Sequence, residues 1–215
     1  ILDALTHLHA RHLDARQRKD VTRSVDVLSL SWGYYHETPG EFDDEAALTR
    51  SLRAFTQAGV AVVAAAGNSS SDVEFYPAAF AQRADCAKGL TSVGSTNGDG
   101  AVVSLYSNTG EWVKAYVPGT AVVSTFPTTF NAAARGLVLA GGRIAGVPVR
   151  GLVDVDDYSS GFALWSGTSF AAPALAADAG CRMRQGATAA QALEEVTKAA
   201  DAAIQRALHD KGGPP

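Results

Sequence analysis

Apolar residues alternate along this chain between helical spacing and short unbroken runs. Ile1, Leu5, Leu8 and His12 share one helical face and predict an amphipathic helix to about Leu13. Residues Asp14 to Ser24 are polar and rich in Arg and Lys, which reads as a solvated surface insertion. Val25–Ser31 predicts a strand. Asp43 or Asp44 can cap a helix that carries Leu48, Leu52 and Phe55 on one side and ends at Gly59. Val60–Ala66 is continuously apolar, the pattern of a strand buried on both faces. Strand, helix and strand in this order predict an α/β fold built on a parallel sheet with right-handed crossovers. Ligand sites in such sheets lie beyond the carboxyl ends of the strands, where Ser31–Gly33 and Gly67–Asn68 fall. Near the end, Thr188 with Gln191 forms a capping box, and Leu193, Val196, Ala200 and Ile204 trace the stripe of a final helix. Lys211–Pro215 reads as a frayed tail or the start of a linker.

Composition narrows the function classes. At 215 residues, 47% hydrophobic and 19% charged, the chain is long enough for one packed domain. A formal charge of −4 provides no basic field for nucleic acid, and no cationic run marks a membrane surface. No apolar stretch approaches the ~20 residues that span a bilayer. Cys86 and Cys181 are read as unpaired, with Cys181 a buried free thiol late in a helix. His9 and His12 lie three apart but have no third ligand at metal spacing, so they read as surface or half-buried residues.

The chemistry concentrates in Ser166-Gly167-Thr168-Ser169-Phe170-Ala171-Ala172-Pro173. A hydroxyl here follows a tight Gly-Thr turn and precedes small residues and a proline that suits the first turn of a helix. Backbone N–H groups at such a helix start favour negative charge, which acyl transfer requires next to its nucleophile. The second informative segment is Val60–Asn68, which ends Ala64-Ala65-Ala66-Gly67-Asn68.

Together the two segments resemble the subtilisin-like serine proteases, the subtilases. The resemblance implies a partial subtilisin-like doubly wound parallel sheet with helices on both faces. It also implies Ser169 as nucleophile and the Asn68 amide as oxyanion donor, with Ser31, Trp32, Gly33, Ala65, Ala66, Gly67 and Thr168 lining the substrate cleft. Weaker correspondences run in register: Val25–Gly33, Tyr76-Pro77 (a candidate cis bond), Val93-Gly94-Ser95, Tyr116–Gly119 and Val122–Thr125. An extended polypeptide substrate would then pair with edges near Ser31–Gly33 and residues 64 to 67. Trp32 makes the cleft wall bulkier than a small aliphatic residue would, or it packs at a strand end. Asp72 or Glu74 can favour a basic substrate side chain if either points into the pocket. The family resemblance further implies a secreted or extracytoplasmic location.

One part of the family pattern is missing. The triad also needs an aspartate in an Asp-(Thr/Ser)-Gly turn and a histidine in a His-Gly-Thr helix start, and the sequence has neither. The expectation is that residues 1–210 form the C-terminal part of a subtilase catalytic domain, its base and orienter supplied by an N-terminal part. Residues 128–164 depart from the family pattern. There Leu137–Ala140, Gly141-Gly142 and Arg143–Val149 read as a hairpin with a glycine turn, within a surface flap beside the cleft. Asp154, Asp156 and Asp157 crowd together; solvated acids fit them, and subtilases often bind structural calcium through such groups. No other cofactor is implied. Two alternatives remain: a catalytically inactive subtilase-like binding or regulatory module, and an α/β-hydrolase esterase. The latter wants Gly-x-Ser-x-Gly, which Ser169 lacks.

Overall fold

A computed structural model describes residues 1–36, 42–86, 88–129, 143–144, 147–148 and 161–210. They divide into two units, one of residues 1–120 and 166–215 and one of residues 121–165.

The first unit is built on four parallel strands in the order β1 (Val27–Leu30), β2 (Ala61–Ala65), β3 (Leu90–Thr96) and β4 (Ala115–Pro118). Side chains alternate across β2, and the alternation decides the layers. Val60, Val62, Ala64 and Ala66 enter one core with Leu5 of α1 (Leu2–Arg18) and Leu48, Leu52 and Phe55 of α2 (Phe42–Gln57). Ala61, Val63 and Ala65 enter the other. They meet Ala171, Ala172, Leu175 and Ala179 of α3 (Thr168–Arg184), and Leu193 and Val196 of α4 (Ala189–Asp210). The expected parallel sheet with helices on both faces is therefore present. The alanines of α3 let that helix lie close on the sheet, which brings its amino end to the carboxyl ends of β1 and β2.

Several local expectations are corrected. The first helix continues past Leu13 to Arg18, because Asp14 and Arg18 pair at i,i+4 (2.7 Å) and Ala15 is buried. Asp14–Arg18 is thus helix rather than insertion. It ends where Lys19 turns left-handed (φ 56°) and Asp20 N–H bonds Ala15 O. His12 is buried, not at the surface, and its Nδ1 accepts the Val25 N–H at 3.0 Å; His9 lies edge-on to Phe55. Asp43 and Asp44 fall inside α2, which begins at Phe42. Cys181 is exposed, whereas Cys86 is buried; both are free thiols. Thr188 and Gln191 do form the reciprocal cap, with Oε1 accepting the Thr188 N–H at 2.9 Å and Thr188 Oγ1 accepting the Gln191 N–H.

In the second unit, β5 (Val122–Thr125) pairs antiparallel with β8 (Phe162–Trp165), Val122 opposite Trp165. A short pair follows the same rule, β6 (Arg143–Ile144) with β7 (Val147–Pro148). Arg143 stands opposite Pro148 and Ile144 opposite Val147, while the expected glycine turn at residues 141 and 142 lies outside the described residues. Residues 137–142, the acids 154, 156 and 157, and the tail 211–215 lie outside the described residues.

Candidate active site

Three segments of the first unit meet at the carboxyl end of the sheet: Ser31 after β1, Gly67-Asn68 after β2, and Gly167–Ser169 at the start of α3. Thr168, fully buried, ties two of them. Its Oγ1 accepts the Gly67 N–H at 3.1 Å and donates to Asn68 Oδ1 at 2.9 Å, while its backbone N–H donates to the same Oδ1 at 2.9 Å. With its oxygen held twice, the exposed Asn68 side chain is fixed in orientation, and its NH2 end remains as a donor. That end lies beside Gly167: a Cβ added there would come 3.3 Å from Asn68 Nδ2. Gly67 is itself obligatory, since its φ of 98° is left-handed and a side chain would meet Asn108 Nδ2 at 2.6 Å.

Ser169 is held from β1. Pro173 lies in the second turn of α3 rather than the first, and it has no N–H to give the carbonyl four residues back. That carbonyl belongs to Ser169, and Ser31 Oγ donates to it at 3.0 Å instead. Ser169 Oγ in turn donates to the Ser31 carbonyl at 3.4 Å, an acceptor that cannot remove its proton. The Ser169 N–H lies in the first turn of α3, where no carbonyl within the helix can accept it. Gly167 N–H bonds Gly119 O at 2.9 Å. The Gly119 carbonyl also accepts Tyr106 Oη (3.0 Å), part of a hydroxyl network with Ser95, Ser104 and Thr120.

The remaining expected cleft residues are placed as follows. Trp32 is half-buried and packs against the α1–α2 core. Gly33 has no room for a side chain beside Phe75 and the Tyr76 carbonyl. Ala65 and Ala66 are buried. Residues 66 and 67 do not offer a free edge to substrate. Ala66 N–H bonds Val93 O, Ala66 O accepts Asn108 Nδ2, and Gly67 O accepts Asn108 N–H. Ala64 and Ala65 are interior to the sheet, so this stretch can supply a wall but not a pairing strand. Glu74 accepts hydrogen bonds from Tyr76 Oη and Gln82 Nε2. The Tyr76-Pro77 bond is cis.

No histidine reaches Ser169 through a hydrogen bond among the described residues. His7, His9 and His12 are on α1, His36 stacks on Tyr76 with ring centroids 4.2 Å apart, and His209 is near the end of α4. Among the described residues no group of three His, Cys, Asp or Glu is placed to hold a metal ion, and no helix is long and apolar enough to cross a membrane. Asn108, unnoticed in the sequence, is fully buried between these loops. Its only sequence signal is a cluster of hydroxyl and amide residues, Ser107-Asn108-Thr109, that reads as an ordinary loop.

Residues 10–211 match the profile of the subtilase family, Peptidase_S8, and the chain belongs to that family of serine peptidases. It is 33% identical over 99 residues to subtilisin-like protease 9 of Arthroderma benhamiae, covering 46% of this chain and 23% of that protein. Among solved structures it is similar to a lanthipeptide protease (21% identity, TM-score 0.59, 90% of this chain and 56% of that one). A psychrophilic protease is similar to a like degree (19%, TM-score 0.58, 91% and 54%). These likenesses are of fold. The chain spans about a quarter of the curated relative and about half of the solved chains it matches.

Proposed function

We propose that this chain carries the nucleophile and the oxyanion donors of a serine endopeptidase, and that its base and orienting acid come from a segment outside these 215 residues. Ser169 Oγ attacks the scissile carbonyl, and the Asn68 NH2 with the Ser169 N–H binds the oxygen as it gains charge. The supporting observation is the pair of hydrogen bonds that the Thr168 N–H and Oγ1 donate to Asn68 Oδ1, which aims the donor end of the amide before any substrate arrives. Such preorganised donors act at full strength because they need not turn during the reaction. The substrate is polypeptide, its backbone laid along Ser31–Gly33 against walls made by Ala65, Ala66, Gly67 and Thr168. β1 is the terminal strand of the sheet, bonded to β2 on one side only among the described residues. Its other edge can accept a further strand from the segment that brings the base.

The alternative, a catalytically inactive binding or regulatory module, is favoured by the backbone carbonyl that faces Ser169 Oγ in place of a base. Fluorophosphonate labelling separates the two. The expected result is modification of Ser169 in the chain extended upstream, none in the 215-residue chain alone, and none in either after Ser169→Ala. An extended form that stays unlabelled would overturn the endopeptidase reading. Labelling of the short chain would overturn the external base. In an active form, Asn68→Ala should lower kcat by about 10²–10³.

A further inference from the structure

We propose that Asn108 is a positioning residue: it sets the pose of the Asn68 amide and so acts on turnover without touching substrate. This rests on Asn68 serving as an oxyanion donor. Asn108 is wholly buried and uses its full hydrogen-bonding capacity. Oδ1 accepts the N–H groups of Ser69 (2.9 Å) and Ser71 (3.2 Å). Nδ2 donates to Ala66 O (2.8 Å) and to Tyr35 Oη (2.8 Å), and its own N–H donates to Gly67 O (3.0 Å).

These contacts bracket Asn68 on both sides, at residues 66, 67, 69 and 71. Thr168 holds the tip of the Asn68 side chain and the Gly67 N–H before it, whereas Asn108 holds the backbone on both sides of Asn68. No other short side chain can replace it. Aspartate keeps the two acceptor sites for Ser69 and Ser71 but sets a carboxylate oxygen against the Ala66 carbonyl. Alanine leaves two N–H groups and a carbonyl without their partners. The clearance is tight as well, since a Cβ on Gly67 would meet Nδ2 at 2.6 Å. A loop released from these bonds displaces Asn68, and displacement near 1 Å is worth about 10² in rate.

A double-mutant cycle in the peptidase-active form, read as kcat and KM on a chromogenic peptide, tests this. Asn108→Ala should lower kcat by about 30–100-fold with KM within about threefold. In the Asn68→Ala background the same substitution should cost less than about threefold, because its route of action is already gone. Losses that multiply, or a kcat unchanged by Asn108→Ala, overturn the inference while leaving the Asn68 reading intact. Asn68→Ala at the parent rate overturns the Asn68 reading and the inference with it. Should Asn108→Ala fail to fold, Asn108→Asp in the 15N-asparagine-labelled 215-residue chain serves as the second variant. It should move or broaden the Asn68 side-chain NH2 signals and leave those of Asn97 in place. Unmoved Asn68 signals overturn the inference.

Discussion

Replacing Thr168 by valine exchanges its hydroxyl for a methyl of similar size, so its effect isolates the bridge between the two sequence motifs. The Gly67 N–H, buried, loses its acceptor. A buried donor left without a partner costs about 1–3 kcal/mol. Asn68 Oδ1 keeps the Thr168 N–H and, being on an exposed side chain, can recruit water for the lost hydroxyl, which adds little. The expected loss is therefore about 2 kcal/mol, a fall in Tm of about 4–8 °C for a domain of this size. Thr168→Ser keeps the oxygen and loses one buried methyl, about 1 kcal/mol, and Thr168→Ala loses both, about 3 kcal/mol. Urea unfolding of the four proteins, followed by tryptophan fluorescence, should give midpoints in the order parent, Ser, Val, Ala with a common slope. A valine variant as stable as the parent would refute the reasoning, since the hydroxyl bridge would then contribute nothing.

Ser31→Ala should cost up to about 1 kcal/mol in the parent, and less in a Pro173→Ala background, where the restored N–H can serve the Ser169 carbonyl; equal costs in urea unfolding would show that Ser31 does not substitute for it. Maleimide should modify exposed Cys181 quickly and Cys86 slowly, because burial, aided by Asp85, pushes the Cys86 thiol up and keeps it protonated; mass spectrometry of the digested adduct gives the order. Asp85 feels burial, which raises its pKa, but Arg53 and Arg83 outweigh it and hold the carboxyl below its ordinary value. A lowered folded pKa contributes stability above the ordinary aspartate range, about pH 4, and that contribution fades as pH falls through the folded value. The stability gap between parent and Asp85→Asn, at most about 1 kcal/mol for so exposed a pair, should therefore shrink below pH 4 and in high salt, as urea titrations at several pH values would record.

The parts of the fold legible in the sequence are those where one local rule decides. Val60–Ala66 is apolar at every position because both faces of β2 are covered, and Gly59, at φ 83°, is the left-handed residue that ends α2. Thr188 and Gln191 announce α4 through a bond that spans three residues. Partners distant along the chain left no such mark. His12 is buried because the Val25 N–H seeks it, a contact 13 residues away that helical periodicity does not encode. Asn108 bonds residues about 40 and 73 positions earlier, and a lone amide in a hydroxyl-rich loop gives no hint of them. The Ser169 hydroxyl stands out by its place at a helix start, whereas its coupling to Asn68 as one site rests on resemblance. The consequence of Pro173 follows from counting four residues back, yet Ser31 as the substitute donor emerges only from the sheet that carries it.

The Thr168 bridge spans a hundred positions, and this has a temporal meaning. Synthesis runs from the amino end at about 5–20 residues per second, so Asn68 is made at least several seconds before the residue that orients it. Throughout that interval its amide lacks the two hydrogen bonds that Thr168 donates to it. Under the proposed reading, a product stalled before Thr168 is harmless to its neighbours, and hydrolytic competence begins only after α3 has folded back onto the sheet.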